Sequence, residues 1–351
     1  MLGRKLQHGK LVTHNNLKVE FPFFIPVYRP DYDFDLFENE GEVSIPACMV
    51  NSFLLYKDRE RREKFESGYY DLRGYLGGFK GVLCTDSGAF QGLNRPLYLK
   101  NKKIIKFQNQ IKSDIIAPLD LITPPYDKRK TAEDKMNISH KRIKEGLGLA
   151  DYSMLAGIQQ GGRFYDLRQH SIRVLREFDM EYYGIGSLVP FFNKKHNMYF
   201  ACKVIADARS VIGEGKPMHV YGAGDPVELP FLFYAGANIF DSSSYAHYAN
   251  GGYYMTEYGA VNSEEQLKKI DYHCNCPVCR ENEVSHIFGQ PELLQRHNLF
   301  VILYVIEKLR KCDEWSQVED MINDILEKHT MLFDDSLLAE SWEKFMSEWK
   351  F

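Results

Sequence analysis

The chain has 351 residues, 44% of them hydrophobic and 26% charged, and carries a net charge of −4. That composition supports a large buried core and excludes wholesale disorder, while the length suits one large domain or two ordinary ones. No apolar run is long enough to span a bilayer, and the mild acidity assigns any nucleic-acid contact to a local basic patch rather than to overall charge.

The N-terminal stretch "MLGRKLQHGKLVTHNN" lacks the apolar segment of a secretory signal, so a cytoplasmic protein is expected. Eight apolar or β-branched runs bounded by turn residues then read as buried strands. They are "FPFFIPVYR" (21–29), "IPACMVNS" (45–52), "GVLCTDSG" (81–88), "SDIIAPLD" (113–120), "SMLAGIQQGG" (153–162), "YYGIGSL" (182–188), "PMHVYGAG" (217–224) and "ANIFDSS" (237–243). Helix-like segments lie between them: "NKKIIKFQNQIK", "KTAEDKMNISHKRIKEGLGLA", "FYDLRQHSIRVLREFD" and "DPVELPFLFYAG". Alternating strands and helices imply parallel βα units, hence an α/β fold that is either a (β/α)8 TIM barrel or an open doubly wound sheet. Asp86, Asp120, Gln159, Gln160, Ser187, Gly222 to Gly224 and Asp241 all fall at C-terminal strand ends. In a barrel those ends meet on one rim, which favours the barrel, expected over residues 1–265.

Beyond residue 265 the pattern changes to a zinc-binding appendage (266–311) and a helical tail (312–351). "LLQRHNLFVILYVIEKLRK" (293–311) is apolar enough for a buried helix, and "VEDMINDILEKHTMLF" and "LLAESWEKFMSEWK" read as amphipathic helices. Of seven cysteines, Cys48, Cys84, Cys202 and Cys312 are scattered, whereas Cys274, Cys276 and Cys279 form C-x-C-x2-C in "HCNCPVCR". An odd count with one cluster points to a metal rather than to disulfides. His297, after 17 intervening residues, supplies a fourth ligand to a closed, structural Zn2+ shell. His273 and His286 are also near; His297 is preferred because it opens an apolar helical run that can hold its imidazole in place.

The rim chemistry rests on carboxylates and amides, since no G-x-S-x-G, P-loop or H-E-x-x-H is present. Taken alone, Asp241 reads as a turn cap. Several rim acids together suit chemistry at an anomeric carbon, one carboxylate attacking C1′ or stabilising its cation and another moving protons on the leaving group. Phe90 and Tyr221 offer stacking faces for a flat ligand, although for either one alone core filler is the better reading, and Gln160 and Ser187 could read its edge.

Together "TDSGAFQ", "SDIIAPLDLITPP", "GIQQGGRFYDLR", "GIGSL", "HVYGAGDP", "FDSSSYAHYA", "YMTEYG" and "CNCPVC…HNL" resemble the tRNA-guanine transglycosylases, particularly the archaeal type, in order from about residue 10 to about residue 310. The resemblance implies a zinc-containing (β/α)8 barrel that exchanges a guanine in RNA for a 7-deazaguanine without breaking the chain. It makes Asp241 the nucleophile toward C1′ and Asp86 the general acid/base. Asp120, Gln160 and the Ser187–Leu188 backbone would bind the base, with Ser87 and Gln91 beside Asp86, and Phe90 and the Tyr221–Gly222 segment sandwiching the ring. Cys274, Cys276, Cys279 and His297 match the zinc ligands. A covalent intermediate conserves the bond energy, so no nucleotide cofactor is expected.

The archaeal-type motifs imply 7-cyano-7-deazaguanine (preQ0) as the incoming base and a D-loop guanine of tRNA as the target. About 40 residues follow the apolar helix, too few for the RNA-binding modules usual in that type, so a separate RNA-binding subunit is one expectation. A DNA-guanine transglycosylase is the alternative. A non-catalytic partner subunit is disfavoured by the presence of both Asp86 and Asp241. A glycosidase or nucleosidase would not need the base-reading motifs. The family also implies a homodimer.

Overall fold

Strands buried on both faces are apolar throughout, so which residues point inward becomes visible only once the sheet is assembled. The computed structural model describes residues 6–28, 43, 45–92, 99–191 and 195–349, without the side chains of Gln91 and Gly92. Arg29, at the end of the first predicted strand, lies outside the described residues. A short antiparallel hairpin, β1 (Lys10–Val12) and β2 (Lys18–Glu20), comes first. Eight parallel strands follow: β3 (Phe23–Tyr28), β4 (Ala47–Asn51), β5 (Val82–Asp86), β6 (Ile115–Ile116), β7 (Met154–Gln159), β8 (Tyr182–Ile185), β9 (Met218–Val220) and β10 (Ile239–Ser242). They close in the order β10-β3-β4-β5-β6-β7-β8-β9, a (β/α)8 barrel as the rim residues led us to expect. The seam pairs Phe240 with Phe24 and Asp241 with Ile25, which removes the open-sheet alternative.

The two-residue period sorts each strand into an inner and an outer set. Ile25, Met49, Val82, Cys84, Ala156, Tyr182 and Ile239 belong to the cluster that fills the barrel. Phe24, Val50, Leu83, Leu155, Tyr183 and Phe240 belong to the larger cluster beneath the helices. The hairpin plugs the N-terminal end, where Leu11, Val19 and Phe21 join the inner cluster and Phe21 stacks on Phe23 with ring centres 6.0 Å apart. Asn15 donates to the buried Asp114 at 2.9 Å, and Asp114 also accepts from the Leu83 N–H at 2.8 Å and the Arg73 guanidinium at 3.1 Å. A buried carboxylate with three donors is compensated, so it anchors the plug rather than weakening it.

Outside the barrel, the helices Asn101–Gln110, Arg129–Leu147, Tyr165–Glu177, Tyr199–Ile212 and Leu229–Ala235 follow their strands. The helix Pro291–Lys311 lies against β3 and the short helix Ser244–Asn250, burying Leu299, Ile302, Leu303, Ile306 and Leu309. Each such side chain contributes roughly 1.5–3 kcal/mol on burial, which welds this helix to the barrel wall. Among the described residues no helix is long and apolar enough to cross a membrane. Helix Trp315–Leu332 packs on Leu229–Ala235, with the Tyr234 hydroxyl donating to Glu319 at 2.8 Å. Helix Leu338–Glu348 packs on Tyr199–Ile212. A second hairpin, β11 (Tyr254–Thr256) and β12 (Gly259–Val261), precedes the cysteines.

Candidate active site

Asp86 closes β5 in the same parity as Val82 and Cys84, so its carboxyl faces the barrel mouth. Its strand neighbour in register is Asn51, whose side chain donates to Oδ2 at 3.2 Å, while the Gly88 N–H donates to Oδ1 at 2.6 Å. Burial pushes this carboxyl up to about 7; the Gly88 bond pulls it down, and the charges of Asp241 and Asp120 push it further up. Near neutrality Asp86 is therefore poised between acid and base.

Asp241 sits in β10 in the parity of Ile239 and is 6% exposed. Its Oδ1 accepts from the Gly222 N–H at 3.0 Å and meets His219 Nε2 at 2.7 Å. A carboxylate only accepts, so Nε2 carries the proton; Nδ1 of the same ring then accepts from the Tyr182 hydroxyl at 3.1 Å. Among the described residues no donor reaches Oδ2 of Asp241. Gly222 owes its place to φ +81°, and a Cβ there would overlap Cγ2 of Val189.

Asp120 follows β6 and is 7% exposed. Gln160, after β7, donates its amide to Oδ2 of Asp120 at 2.6 Å and accepts from Ser187 Oγ at 2.7 Å. Ser187, after β8 at φ +56°, also accepts from the Thr123 N–H at 2.9 Å. Burial raises the Asp120 carboxyl to about 6, against the Gln160 bond and the nearby Arg142. The fully buried Arg168 braces this side, donating to the carbonyls of Gly162 at 2.9 Å, Gly186 at 2.6 Å and Ser187 at 3.2 Å. Beside Asp120 opens a cavity of about 250 Å³ walled by Ala89, Leu99, Tyr126, Lys135 and Arg142.

The structure thus brings Asp86, Asp120, Gln160, Ser187, Tyr221, Gly222 and Asp241 to one rim. Ser87 is buried beside Asp86, and Leu188 is fully buried with its side chain in the outer core, which leaves only its backbone for the role expected of it. Phe90, in the turn Ala89–Gly92, is 63% exposed, which removes the core-filler alternative. Tyr221 lies within the barrel with its ring centre 4.0 Å from that of His219. The side chain of Gln91 lies outside the described residues.

Away from the rim, one ligand atom each from Cys274, Cys276, Cys279 and His297 lies within 4.8 Å of the others, a group that could hold a metal ion. His297 Nδ1 stands 3.5 Å from Cys276 Sγ and 3.4 Å from Cys279 Sγ. These spacings are close to the edge of a tetrahedron with bonds of about 2.0 Å to nitrogen and about 2.3 Å to sulfur. His297 Nε2 donates to the Met255 carbonyl at 2.8 Å, which leaves Nδ1 with its lone pair toward the sulfurs. Tyr254 stacks on the imidazole at 3.6 Å, and its hydroxyl stands 3.0 Å from Cys279 Sγ. His273 is not part of the group; its imidazole pairs instead with the exposed Asp271.

The family model described as queuine tRNA-ribosyltransferase matches residues 4–331. The chain belongs to that family. Proteins named tRNA-guanine(15) transglycosylase are similar to it: those of Methanosarcina barkeri and Pyrococcus abyssi are 30% identical and that of Thermococcus kodakarensis 31%, each over 333 residues and 93% of this chain. The match spans 66% of the Methanosarcina protein, 55% of the Pyrococcus one and 56% of the Thermococcus one, so the chain spans from about half to just under two thirds of these curated relatives.

Two buried residues of this family member, His219 and Tyr182, were missed in the sequence. Each stands in an apolar strand segment, "PMHVYGAG" and "YYGIGSL", where it reads as core. The available signal was parity: His219 lies two positions before Tyr221 and Tyr182 two before Gly184, on the same inward face.

Proposed function

We propose that the chain exchanges guanine in tRNA for a 7-deazaguanine, with 7-cyano-7-deazaguanine as the incoming base, through a ribosyl-aspartate intermediate. The observation that carries this reading is the unequal treatment of two carboxyls at one mouth. Asp241 has one oxygen fixed by two N–H donors and the other open, whereas Asp86 is pushed up to about 7. Environments that separate two acids assign them different tasks.

The target nucleotide is flipped out of its fold so that a carboxylate can reach the sugar. Oδ2 of Asp241 attacks C1′, the C1′–N9 bond breaks, and guanine leaves with a proton from Asp86. The incoming base gives a proton to Asp86, its N9 attacks C1′, and the C1′–Oδ2 bond breaks to restore Asp241. Two inversions retain the anomer, and the energy of the original bond is conserved in the ester, so no nucleotide cofactor takes part. Asp120 and Gln160 receive the base edge, with Ser187 and the Leu188 backbone beside them. Phe90 and the Tyr221–Gly222 segment bound its faces, and Ser87 and Gln91 flank Asp86.

Cys274, Cys276, Cys279 and His297 would hold a structural Zn2+, whose closed shell supplies stability rather than chemistry. A cytoplasmic site of action and a separate RNA-binding subunit or a second copy of the chain go with this reading.

The test is incubation of the protein with labelled 7-cyano-7-deazaguanine and, separately, tRNA and duplex DNA. Label entering tRNA, and lost by at least about 1000-fold in Asp241→Asn, is expected. Label entering DNA alone would overturn the choice of polymer, and exchange persisting in Asp241→Asn would remove the nucleophile.

A further inference from the structure

We infer that His219, locked by Tyr182, is the positioning residue that decides which oxygen of Asp241 attacks the sugar, a role that rests on the exchange proposed above. The three side chains come from neighbouring strands β8, β9 and β10 and share the inward face of the barrel. A carboxylate turns readily about its last torsion, which is broad and two-fold. Here the His219 N–H at 2.7 Å and the Gly222 N–H at 3.0 Å both end on Oδ1 and stop that rotation, so Oδ2 is left as the attacking atom.

The ring itself has no freedom to relax. His219 is fully buried, both of its nitrogens are engaged, and Tyr221 packs over it with ring centres 4.0 Å apart. Gly184 makes room for that packing, since a Cβ there would stand 2.5 Å from Cε2 of Tyr221. Tyr182 is also fully buried, and its hydroxyl needs a partner in the dry barrel, which Nδ1 of His219 provides. With Nδ1 occupied as an acceptor, the proton is kept on Nε2, facing Asp241. A phenylalanine and a leucine would fill this core at no polar cost, so packing alone does not call for the chain Tyr182–His219–Asp241.

The same donors act a second time. When the incoming N9 bonds to C1′ and the C1′–Oδ2 bond breaks, the electron pair returns to Asp241, while the proton of the base passes to Asp86. The carboxylate charge then reforms against two N–H groups already aimed at it, which is electrostatic preorganisation.

The full-length chain carrying His219→Leu, His219→Gln, His219→Asn or Tyr182→Phe is compared with the wild type in exchange of labelled guanine into tRNA. His219→Leu is expected to lower kcat about 100-fold while KM for guanine moves by less than about 3-fold, because position rather than binding is lost. His219→Gln, whose amide nitrogen can occupy the place of Nε2, is expected to recover to within about 10-fold of the wild type. Tyr182→Phe is expected to lower kcat about 10-fold and to reshape its pH profile. A His219→Leu enzyme with kcat within about 3-fold of the wild type overturns the role. If that variant does not fold, the Gln and Asn variants decide: activity in Gln and not in Asn supports the role, and equal activity in both overturns it. A wild type that labels no tRNA overturns the proposed function and this inference with it, whereas an active wild type beside an equally active His219→Leu overturns the inference alone.

Discussion

Gln160 donates its side-chain amide to Oδ2 of Asp120 across 2.6 Å, and Ser187 donates to Gln160 Oε1 across 2.7 Å. The groups assigned to a base edge thus hold one another in place before any base arrives. Such preorganisation limits the entropy lost on binding.

Asp120→Asn keeps the shape of the pocket and removes the charge that a guanine N–H would meet. KM for guanine is expected to rise roughly 10- to 100-fold, the worth of a hydrogen bond to a charged group, with a smaller change in kcat. Steady-state exchange at several guanine concentrations separates the two, and a loss confined to kcat would place Asp120 in the chemistry instead.

Asp86 sets a pH dependence. Its carboxyl is raised by burial to about 7, so the acid form that the proposed mechanism assigns to departing guanine is lost as pH climbs through that value, and kcat/KM should decline on the alkaline side. The same shift acts on stability. Between the ordinary carboxylate range and about 7 the folded protein holds a proton that the unfolded chain has released, so this stabilisation is present at low pH and disappears as pH rises through about 7. Asp86→Asn should therefore be inactive yet more stable than the wild type at pH 8, on the order of 1–3 kcal/mol. Denaturant unfolding at pH 5 and pH 8 measures it; equal differences at the two pH values would contradict the shift.

Gly222→Ala tests the backbone donor to Asp241. The residue sits at φ +81°, and the added methyl meets Val189, so a cost of about 1–3 kcal/mol in stability is expected together with a loss of exchange. Full activity in a variant that melts like the wild type would show that the Gly222 N–H contributes nothing to the role proposed for Asp241.

For the metal, atomic absorption on the purified chain should give one zinc per molecule. Cys276→Ser, or treatment with a strong chelator, should remove it and lower Tm, because binding energy at such a site is folding energy. Since the helix that carries His297 also covers β3, exchange activity should fall with the loss of structure rather than before it. A zinc-free protein with unchanged Tm would end the structural reading.

Much of this was legible in the sequence, and the reasons differ from place to place. Asp86, Asp120 and Asp241 stood out because each ends an apolar run, where a carboxylate has no packing task. Cys274, Cys276 and Cys279 stood out through spacing alone. His219 and Tyr182 did not, because in a strand buried on both faces a polar ring looks like core until the facing strands are known. The N-terminal hairpin was equally hidden. Leu11, Val19 and Phe21 are too few and too scattered to show a period, and their purpose is set by the barrel end they close. Phe90 could not be resolved either way from sequence, since exposure is a property of the loop that carries it.

The pairing of Asp241 with Ile25 has a consequence in time. The two residues belong to the first and last strands of the barrel, and closing a contact between such distant parts of a chain carries a large loop-closure entropy. Synthesis delivers β10 only after the other seven strands, and the helix that covers β3 later still. The residue proposed as nucleophile thus lies on the last barrel strand to be made. A chain made only as far as β9 carries Asp86 and Asp120 without Asp241, so under the proposed mechanism it has no group to attack the sugar until the strand that shuts the cylinder is in place.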